Sequence, residues 1–217
     1  MRVEVVSDVV CPWCYIGKRR LEAALGLLNR KQVEVRWKAF ELNPDMPREG
    51  MNRAEYRERK FGSDMAGQLE ERVTEAARHE GLELRYDRIA RVPNTFAAHR
   101  LIWLAGRDGV QDAVVESLFR GYFIEGVDVG DPAVLLRIGA DAGLPAPLVV
   151  DLLAGGAGAD EVRAEEAAAR DAGVTGVPTF FVDGAAVTSG AHPAELLASM
   201  LGPALGVARC DLGGGTC

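Results

Sequence analysis

The segment VEVVSDVVCPWCYIGKRRLE, residues 3–22, decides the fold, because a valine-rich run leads directly into Cys-Pro-Trp-Cys and then into a helical pattern. The run VEVVSDVV is typical of a buried strand. Pro12 suits the first position of a helix, and leucines then recur at helical spacing as far as Leu28. Cys11 therefore takes the N-cap position of this helix, and Cys14 follows about one turn later.

Further strand patterns occur only near the two ends of the chain. Residues 33–41, VEVRWKAFE, alternate apolar and charged side chains. They predict a second strand, parallel to the first because a helix connects the two. The C-terminal part contains a predicted hairpin and a closing helix, with strands over 179–182 and 185–188, the turn Asp183-Gly184 between them, and the helix over 193–201.

Helical patterns fill the interval between these two parts, and glycines mark most of the breaks. The predicted helices span residues 56–61, 68–79, 95–105, 112–123, 132–142, 145–153 and 160–170. We therefore divide the chain into a βαβ half (1–43), a helical insertion (44–170), a ββα half (171–202) and a Gly-rich, Cys-containing tail that we expect to be flexible (203–217).

The length and composition fit one globular domain, or one domain carrying a large insertion. The 217 residues are 48% hydrophobic and 26% charged, which excludes a disordered or collagen-like chain. A net charge of −7 disfavours nucleic acid as a partner, although residues 1–60 hold 13 basic and 9 acidic side chains. The longest uncharged stretch, residues 196–208, is too short for a membrane span, and the N-terminus lacks a secretory pattern. We expect no membrane association and a cytoplasmic location.

Two cysteines at the head of a helix favour redox chemistry. The free amides and positive pole of the helix stabilise the ionised thiolate of Cys11, so we expect Cys11 to be the nucleophile, half exposed at the helix tip. Cys14, one turn deeper, then resolves the mixed disulfide. One alternative is a zinc site, whose further ligands would come from scattered histidines or from the tail, and another is two ordinary buried thiols. We expect no bound metal or other cofactor.

A proline at the start of the third strand points to the same site. In GVTGVPTFFV, residues 173–182, Pro178 cannot donate a hydrogen bond to the sheet, and a cis Val177-Pro178 peptide bond explains its position. In that geometry the backbone of Val177 faces Cys11 and is available to an extended substrate. The alternative is a trans proline that merely starts the strand.

Three weaker features have both a functional and an ordinary interpretation. Cys210 and Cys217 are either a second redox pair or incidental thiols of the tail. His99, with Asn94 just before its helix, either points into a cleft beside the cysteines as a proton shuttle or is packed in the core. Trp13 either forms an apolar rim for a substrate or is an exposed aromatic without a specific role.

Together these segments resemble the DsbA-like thioredoxin-fold oxidoreductases. The likeness covers residues 1 to about 201 and is carried by the Cys-Pro-Trp-Cys head, by GVPTFFVDG and by the helical insertion between them. More narrowly, DVVCPWCYIGKRRLE, FELNPDMP, LFRGYFIEGVDVGD and a late SGA look like the cytoplasmic FrnE subgroup. That subgroup neighbours the 2-hydroxychromene-2-carboxylate isomerases and the kappa-class glutathione transferases.

The resemblance implies an α/β thioredoxin fold with a large all-helical insertion between the βαβ and ββα halves. It also implies thiol–disulfide oxidoreductase or disulfide isomerase activity on protein or small-molecule disulfides. Glutathione or a thioredoxin-type donor would close the cycle, and a homodimer is open because dimers occur among the relatives. The implied site residues are the redox pair Cys11 and Cys14, the supporting Pro12 and Trp13, and the cis-proline pair Val177 and Pro178.

Two departures from the relatives qualify this activity. Periplasmic DsbA oxidants usually carry His where this chain has Trp13, so we expect a weaker oxidant. The isomerase and transferase relatives commonly carry Ser at the position of Cys11, which argues against their chemistry here. A glutathione-dependent isomerase or transferase acting on a small aromatic or polyketide-like molecule is the second hypothesis, and a redox-inert binding or chaperone module is the third.

Overall fold

The N-terminal half forms the βαβ unit that the sequence predicts. The computed structural model describes residues 1–30 and 33–207, apart from the side chains of residues 63, 64 and 66. The unit consists of β1 (Arg2–Ser7), α1 (Pro12–Leu27) and β2 (Glu34–Ala39). β1 and β2 run parallel, with Val5 opposite Trp37, and both of these side chains are buried.

The insertion follows β2 and is built mainly of helices. In chain order it contains β3 (Met51–Asn52), α2 (Arg53–Phe61), α3 (Ser63–His79), β4 (Arg91–Val92), α4 (Phe96–Arg107), α5 (Gln111–Arg120), α6 (Pro132–Asp141), α7 (Ala146–Ala154) and α8 (Ala159–Asp171). Each predicted helix is present, although α3 begins earlier than predicted and α5 continues as a turn of π-helix over Gly121–Glu125. β3 and β4 pair antiparallel, so the insertion is not wholly helical as expected. Two-residue strands are too short to show an alternating pattern.

The C-terminal half completes a four-stranded sheet. It consists of β5 (Thr179–Val182), β6 (Ala185–Ser189) and α9 (Ala194–Ala204). The strand order is β2-β1-β5-β6, and β5 is antiparallel to both of its neighbours. Asp183 and Gly184 have φ angles of 47° and 85°, as the predicted two-residue hairpin turn requires. This arrangement confirms the α/β thioredoxin fold.

Both faces of the sheet are covered, and the register of β1 against β5 positions the site. On one face α1 packs against α9, and Phe180 of β5 joins the main core. On the other face Phe181 joins a smaller cluster that includes Ala169 of α8. Because Val6 lies opposite Thr179, the start of β5 adjoins the end of β1 and therefore the head of α1. In the described part of the chain, no helix combines the length and the apolar character needed to cross a membrane.

Candidate active site

The two cysteines lie at the N-terminus of α1, as the sequence predicts. Cys11 is the N-cap residue with extended backbone angles, and Pro12 occupies the first helical turn. The backbone N–H of Cys14 donates to the carbonyl oxygen of Cys11 at 3.0 Å, which places Cys14 one turn into the helix. Cys14 is fully buried, and only 5% of Cys11 is exposed. The expectation of a half-exposed Cys11 is therefore wrong, because neighbouring segments cover the helix tip.

The segment before β5 is one of these neighbours. The Val177-Pro178 peptide bond is cis, as expected. Cys11 Sγ donates to the carbonyl oxygen of Val177 at 3.6 Å. Thr179 Oγ1 donates to the carbonyl oxygen of Gly176 at 2.8 Å, which ties this loop to the first residue of β5. The nucleophile predicted from the helix head and the backbone predicted from the proline therefore meet in the fold.

The helix beneath the proline is matched to it in shape. A Cβ atom added at Gly17 would lie 2.8 Å from Cγ of Pro178, closer than real Cβ contacts come. Gly17 is buried inside α1, where glycine costs helix stability relative to alanine. The missing side chain thus permits the segment Gly176 to Pro178, called the proline loop below, to approach α1 closely.

The two thiols have different surroundings, which raise the pKa of Cys14 and leave Cys11 next to a cavity. The pKa of Cys14 is raised well above its ordinary value, first by burial and then by the neighbouring sulfur of Cys11. Cys14 therefore keeps its proton while Cys11 faces the adjoining cavity. This is the division that a nucleophile and a resolving thiol require.

A cavity of about 400 Å³ opens beside Cys11, between the thioredoxin core and the insertion. Pro12, Trp13 and Val177 line its core side, so three of the four predicted supporting residues border one space, and Pro178 is not part of its lining. The opposite walls are mostly apolar and aromatic and include Tyr86 and Phe123. A cavity of this size whose mostly apolar walls also carry some polar groups is typical of a small-molecule site.

The charged residues of the cavity wall were not singled out from the sequence. They are Arg53, Arg57 and Lys60 of α2 and Glu70 of α3. The available signals were the positive balance of residues 1–60 and the spacing of the three cations by four and three residues, which places them on one helix face. Such a spacing is also common on solvated helix faces, so it did not indicate a cavity.

Asn94 and His99 do not line this cavity, in contrast to the cleft position proposed for them. Asn94 precedes Thr95, the N-cap residue of α4, and its Oδ1 accepts from the backbone N–H of Phe96 at 3.0 Å. His99 is 2% exposed, and its Nε2 lies 3.4 Å from Oδ1 of the fully buried Asp8. The helix face that carries His99 therefore meets this carboxylate. Cys210 and Cys217 lie outside the described residues.

Asp8 and His99 belong to a buried polar cluster behind the redox pair. Burial tends to lower the pKa of His99, but the carboxylates of Asp8, Glu41 and Glu166 outweigh it, so the pKa is raised. The pKa of Glu41 is raised to about 7, mainly by burial and next by Glu166. Asp8 Oδ2 accepts from the backbone N–H of Leu42 at 2.8 Å. Within residues 1–30 and 33–207, no three side chains of the metal-binding types are grouped as ligands.

Comparisons with known proteins agree with this architecture. A probable DsbA oxidoreductase of Streptomyces coelicolor is 39% identical and superimposes with a TM-score of 0.87, covering 96% of this chain and 92% of that chain. A 2-hydroxychromene-2-carboxylate isomerase is 18% identical with a TM-score of 0.70, covering 94% and 95%. The cytosolic disulfide reductase DsbM of Pseudomonas aeruginosa, solved with glutathione, is 19% identical with a TM-score of 0.62, covering 84% and 86%. These last two similarities show a shared fold.

The family comparison covers almost the whole described chain. The family model for the DSBA-like thioredoxin domain matches residues 2–202, which include both halves of the core and the insertion. The matched range contains the cysteine pair, the cis proline and every residue of the cavity wall. The chain therefore belongs to the family of DsbA-like thioredoxin domains.

Proposed function

We propose that the protein is a thiol–disulfide oxidoreductase or disulfide isomerase that uses the Cys11-Cys14 pair. One observation carries the proposal. Cys11 Sγ lies 3.6 Å from the carbonyl oxygen of Val177, beside the cis proline and at the wall of a cavity. Family membership and the probable oxidoreductase from Streptomyces coelicolor support an oxidoreductase or isomerase.

The mechanism assigns a separate step to each thiol. The thiolate of Cys11 attacks one sulfur of a substrate disulfide, which forms a mixed disulfide and releases the first thiolate. Cys14, held protonated by its burial, then attacks Cys11 Sγ and passes its proton to the departing substrate sulfur. This step releases the second substrate thiol and leaves a Cys11–Cys14 disulfide, so two electrons pass to the substrate. The backbone of Val177 lies where a substrate bound to Cys11 would pair with it.

We further propose a cytoplasmic protein that works as a reductase or isomerase. Disulfides are rare in the reducing cytosol, and glutathione or a thioredoxin-type donor would return the pair to its reduced form. The glutathione complex of the similarly folded DsbM supports glutathione as this partner. Assignment to the FrnE subgroup and a homodimeric state stay predictions.

The test is a titration of the full chain through ratios of reduced and oxidised glutathione, with thiols trapped and counted by mass. Cys210 and Cys217 are changed to serine so that only the pair in α1 is counted. We expect two thiols to disappear together at one defined potential. In Cys14→Ser we expect a stable glutathione adduct on Cys11, and in Cys11→Ser no adduct. A pair that never closes in the parent would contradict the dithiol mechanism.

A glutathione-dependent isomerase or transferase is the second candidate. The observation that favours it is the aromatic wall of the cavity, which suits a small apolar substrate next to one reactive thiol. The two candidates differ in their need for Cys14. Activity that survives Cys14→Ser and still depends on glutathione would favour the second candidate, whereas disulfide reduction that stops after one adduct would favour the first.

A further inference from the structure

The cavity beside Cys11 carries an excess of positive charge. Arg53, Arg57 and Lys60 of α2 line it together, and Glu70 is the carboxylate among the described lining residues. The chain as a whole has a net charge of −7, so this local excess runs against the overall balance. In a partly enclosed and largely apolar space, a charge acts more strongly than on an open surface.

Glu70 neutralises only part of this positive charge. It accepts a hydrogen bond from Arg53, and its Oε1 lies 3.0 Å from Nε of Arg57. Arg53 also stacks over the ring of Tyr86, with its guanidinium carbon 4.9 Å from the ring centre. One carboxylate therefore contacts two guanidinium groups but neutralises only one positive charge.

Lys60 lies between neutral oxygens. Its ammonium group donates to Oδ1 of Asn43 and to the hydroxyl of Tyr56, each at 2.7 Å. These partners orient the ammonium group but do not cancel its charge. Tyr56 itself donates to Asn43 Oδ1 at 3.0 Å, so the three side chains form a closed hydrogen-bonded group at the cavity wall. Lys60 and Arg57, one turn apart on α2, are thus placed to receive an anion.

The burial of Cys11 restricts what reaches it. Only 5% of Cys11 is exposed, and the sulfur borders the cavity, so a reacting disulfide must enter this space. The volume of about 400 Å³ falls in the range of small-molecule sites. The aromatic and aliphatic walls favour an apolar body, and the cations of α2 favour an acidic group on it.

We propose that the cavity is a binding site for low-molecular-mass disulfides that carry a carboxylate on an apolar or aromatic body. The carboxylate binds at Arg57 and Lys60, and the sulfur lies at Cys11. This proposal rests on the proposed function and names its substrate class. Cys11 attacks the near sulfur of the bound disulfide, one carboxylate-bearing thiolate leaves, and Cys14 displaces the second as the Cys11–Cys14 disulfide forms. Two thiols of the reduced protein are thus exchanged for two small thiols.

The test measures single-turnover oxidation of the reduced full chain, with Cys210 and Cys217 changed to serine, by matched small disulfides. Hydroxyethyl disulfide is neutral, cystamine is dicationic, dithiodipropionate is dianionic, and dithiodibenzoate is dianionic and aromatic. Each rate constant is divided by that of dithiothreitol with the same disulfide, which removes differences in intrinsic reactivity. We expect dithiodibenzoate to react fastest, then dithiodipropionate, with cystamine about tenfold or more behind the dianions. Added salt should reduce this preference.

Substitutions on the cavity wall test whether the expected preference for anionic disulfides arises there. Lys60→Gln and Arg57→Gln should each lower the ratio of the dianion rate to the cystamine rate by about fivefold to tenfold. Arg137→Gln removes one charge from a half-exposed site on α6, outside the cavity wall, and should keep the parent ratio. Thermal unfolding of each variant shows whether the fold is retained.

The outcomes separate this proposal from the proposed function. Equal normalised rates for the anionic and cationic disulfides, with normal closure of the Cys11–Cys14 pair, would overturn the proposal alone. An acidic peptide disulfide that reacts faster than dithiodibenzoate would overturn it as well, in favour of a protein substrate. If the neutral disulfide also fails to oxidise the pair, the proposed function fails with it.

Discussion

In front of the redox pair, Arg57 and Lys60 line the wall of the cavity, where a bound ligand can contact them. Among the residues that the structure describes, Glu70 is the carboxylate on this wall. Behind the pair, His99 and three carboxylates enclose one another, and Asp8 and His99 are almost completely buried. Both regions adjoin the same strand-to-helix junction, since Asp8 lies three residues before Cys11. The cavity holds charge that a ligand reaches, whereas Asp8, Glu41 and His99 of the buried cluster are almost closed to solvent.

This difference separates two uses of ionisable side chains. A charge in the cavity borders a space that a ligand can enter, and it acts when an anion binds. A charge in the buried cluster acts on the stability of the fold and on its dependence on pH. Substitutions in the cluster should therefore change unfolding, whereas substitutions around the cavity should change rates and potentials.

The largest effect is expected for His99→Leu. The substitution leaves Asp8 buried without its imidazole partner, so the free energy of unfolding at neutral pH should fall by about 3 kcal/mol. Urea unfolding measures the change, which should grow as pH falls through the raised pKa of His99, because the contribution of His99 to stability is present below that pKa. His79→Leu is the matched control because His79 is 72% exposed, and it should change stability by less than about 0.5 kcal/mol. Equal effects of the two substitutions would show that the buried His99 stabilises the fold no more than the exposed His79 does.

A smaller effect, visible in its pH dependence, is expected for Glu41→Gln. The pKa of Glu41 is about 7 in the folded protein, above the value of about 4.3 in an unfolded chain. The folded state therefore binds more protons in this range, and the Glu41 contribution to stability is lost as pH rises from about 4.3 to 7. His99, whose pKa is also raised, acts in the same direction at higher pH, while Arg170 opposes the shift at Glu41.

In Glu41→Gln, the loss of stability that Glu41 causes as pH rises is absent. Relative to the parent, the stability of Glu41→Gln should improve by about 2 kcal/mol between about pH 5 and about pH 8. Urea unfolding at the two pH values gives the difference. Glu75→Gln, at a side chain that is 66% exposed, should follow the parent at both pH values. Parallel pH profiles for the parent and Glu41→Gln would contradict the raised pKa.

On the cavity side, Gly17→Ala should slow the reaction of Cys11. The added Cβ would lie 2.8 Å from Cγ of Pro178, so the proline loop must shift away from the sulfur. A displacement near one ångström at a reacting group costs up to about a hundredfold, and we expect roughly tenfold here. The rate with hydroxyethyl disulfide measures it. Gly67→Ala, also within a helix and with open space at its Cβ, should keep the parent rate. An unchanged rate in Gly17→Ala would show that the loop position does not matter.

The local features of the site could be predicted from the sequence. The strand before Cys11, the helix after Pro12 and the hairpin at Asp183-Gly184 are each determined by neighbouring residues. Each of these three signals is contained in one run of consecutive residues, so a pattern can show them. The cis peptide at Pro178 is predicted from the proline at a strand start together with the distant cysteine pair, because the proline alone favours a trans bond.

The environment of the cysteines could not be predicted in the same way. Cys11 is buried because the proline loop and the insertion cover a helix tip that a local pattern leaves open. The buried cluster joins Asp8, Glu41, His99 and Glu166, which come from four separate segments. A histidine in α4, a helix that also carries Arg100 and Arg107, does not reveal its partner in the fold, so the position of His99 beside Asp8 depended on the packing of α4.

The smallest effect concerns Trp13, which lines the cavity and packs partly against the core. In Trp13→His an imidazolium next to Cys11 would stabilise the thiolate, and hence the reduced form. The reduction potential should therefore rise by about 20 mV, which is about fivefold in the equilibrium constant. The charge is present only below the histidine pKa of about 6.5, so the rise should be larger at about pH 6 than at about pH 8. Trp13→Phe keeps an aromatic ring without the charge, and an equal rise in that variant would assign the effect to packing. A rise confined to the histidine variant and to low pH would show that the potential of the pair responds to charge on the cavity side.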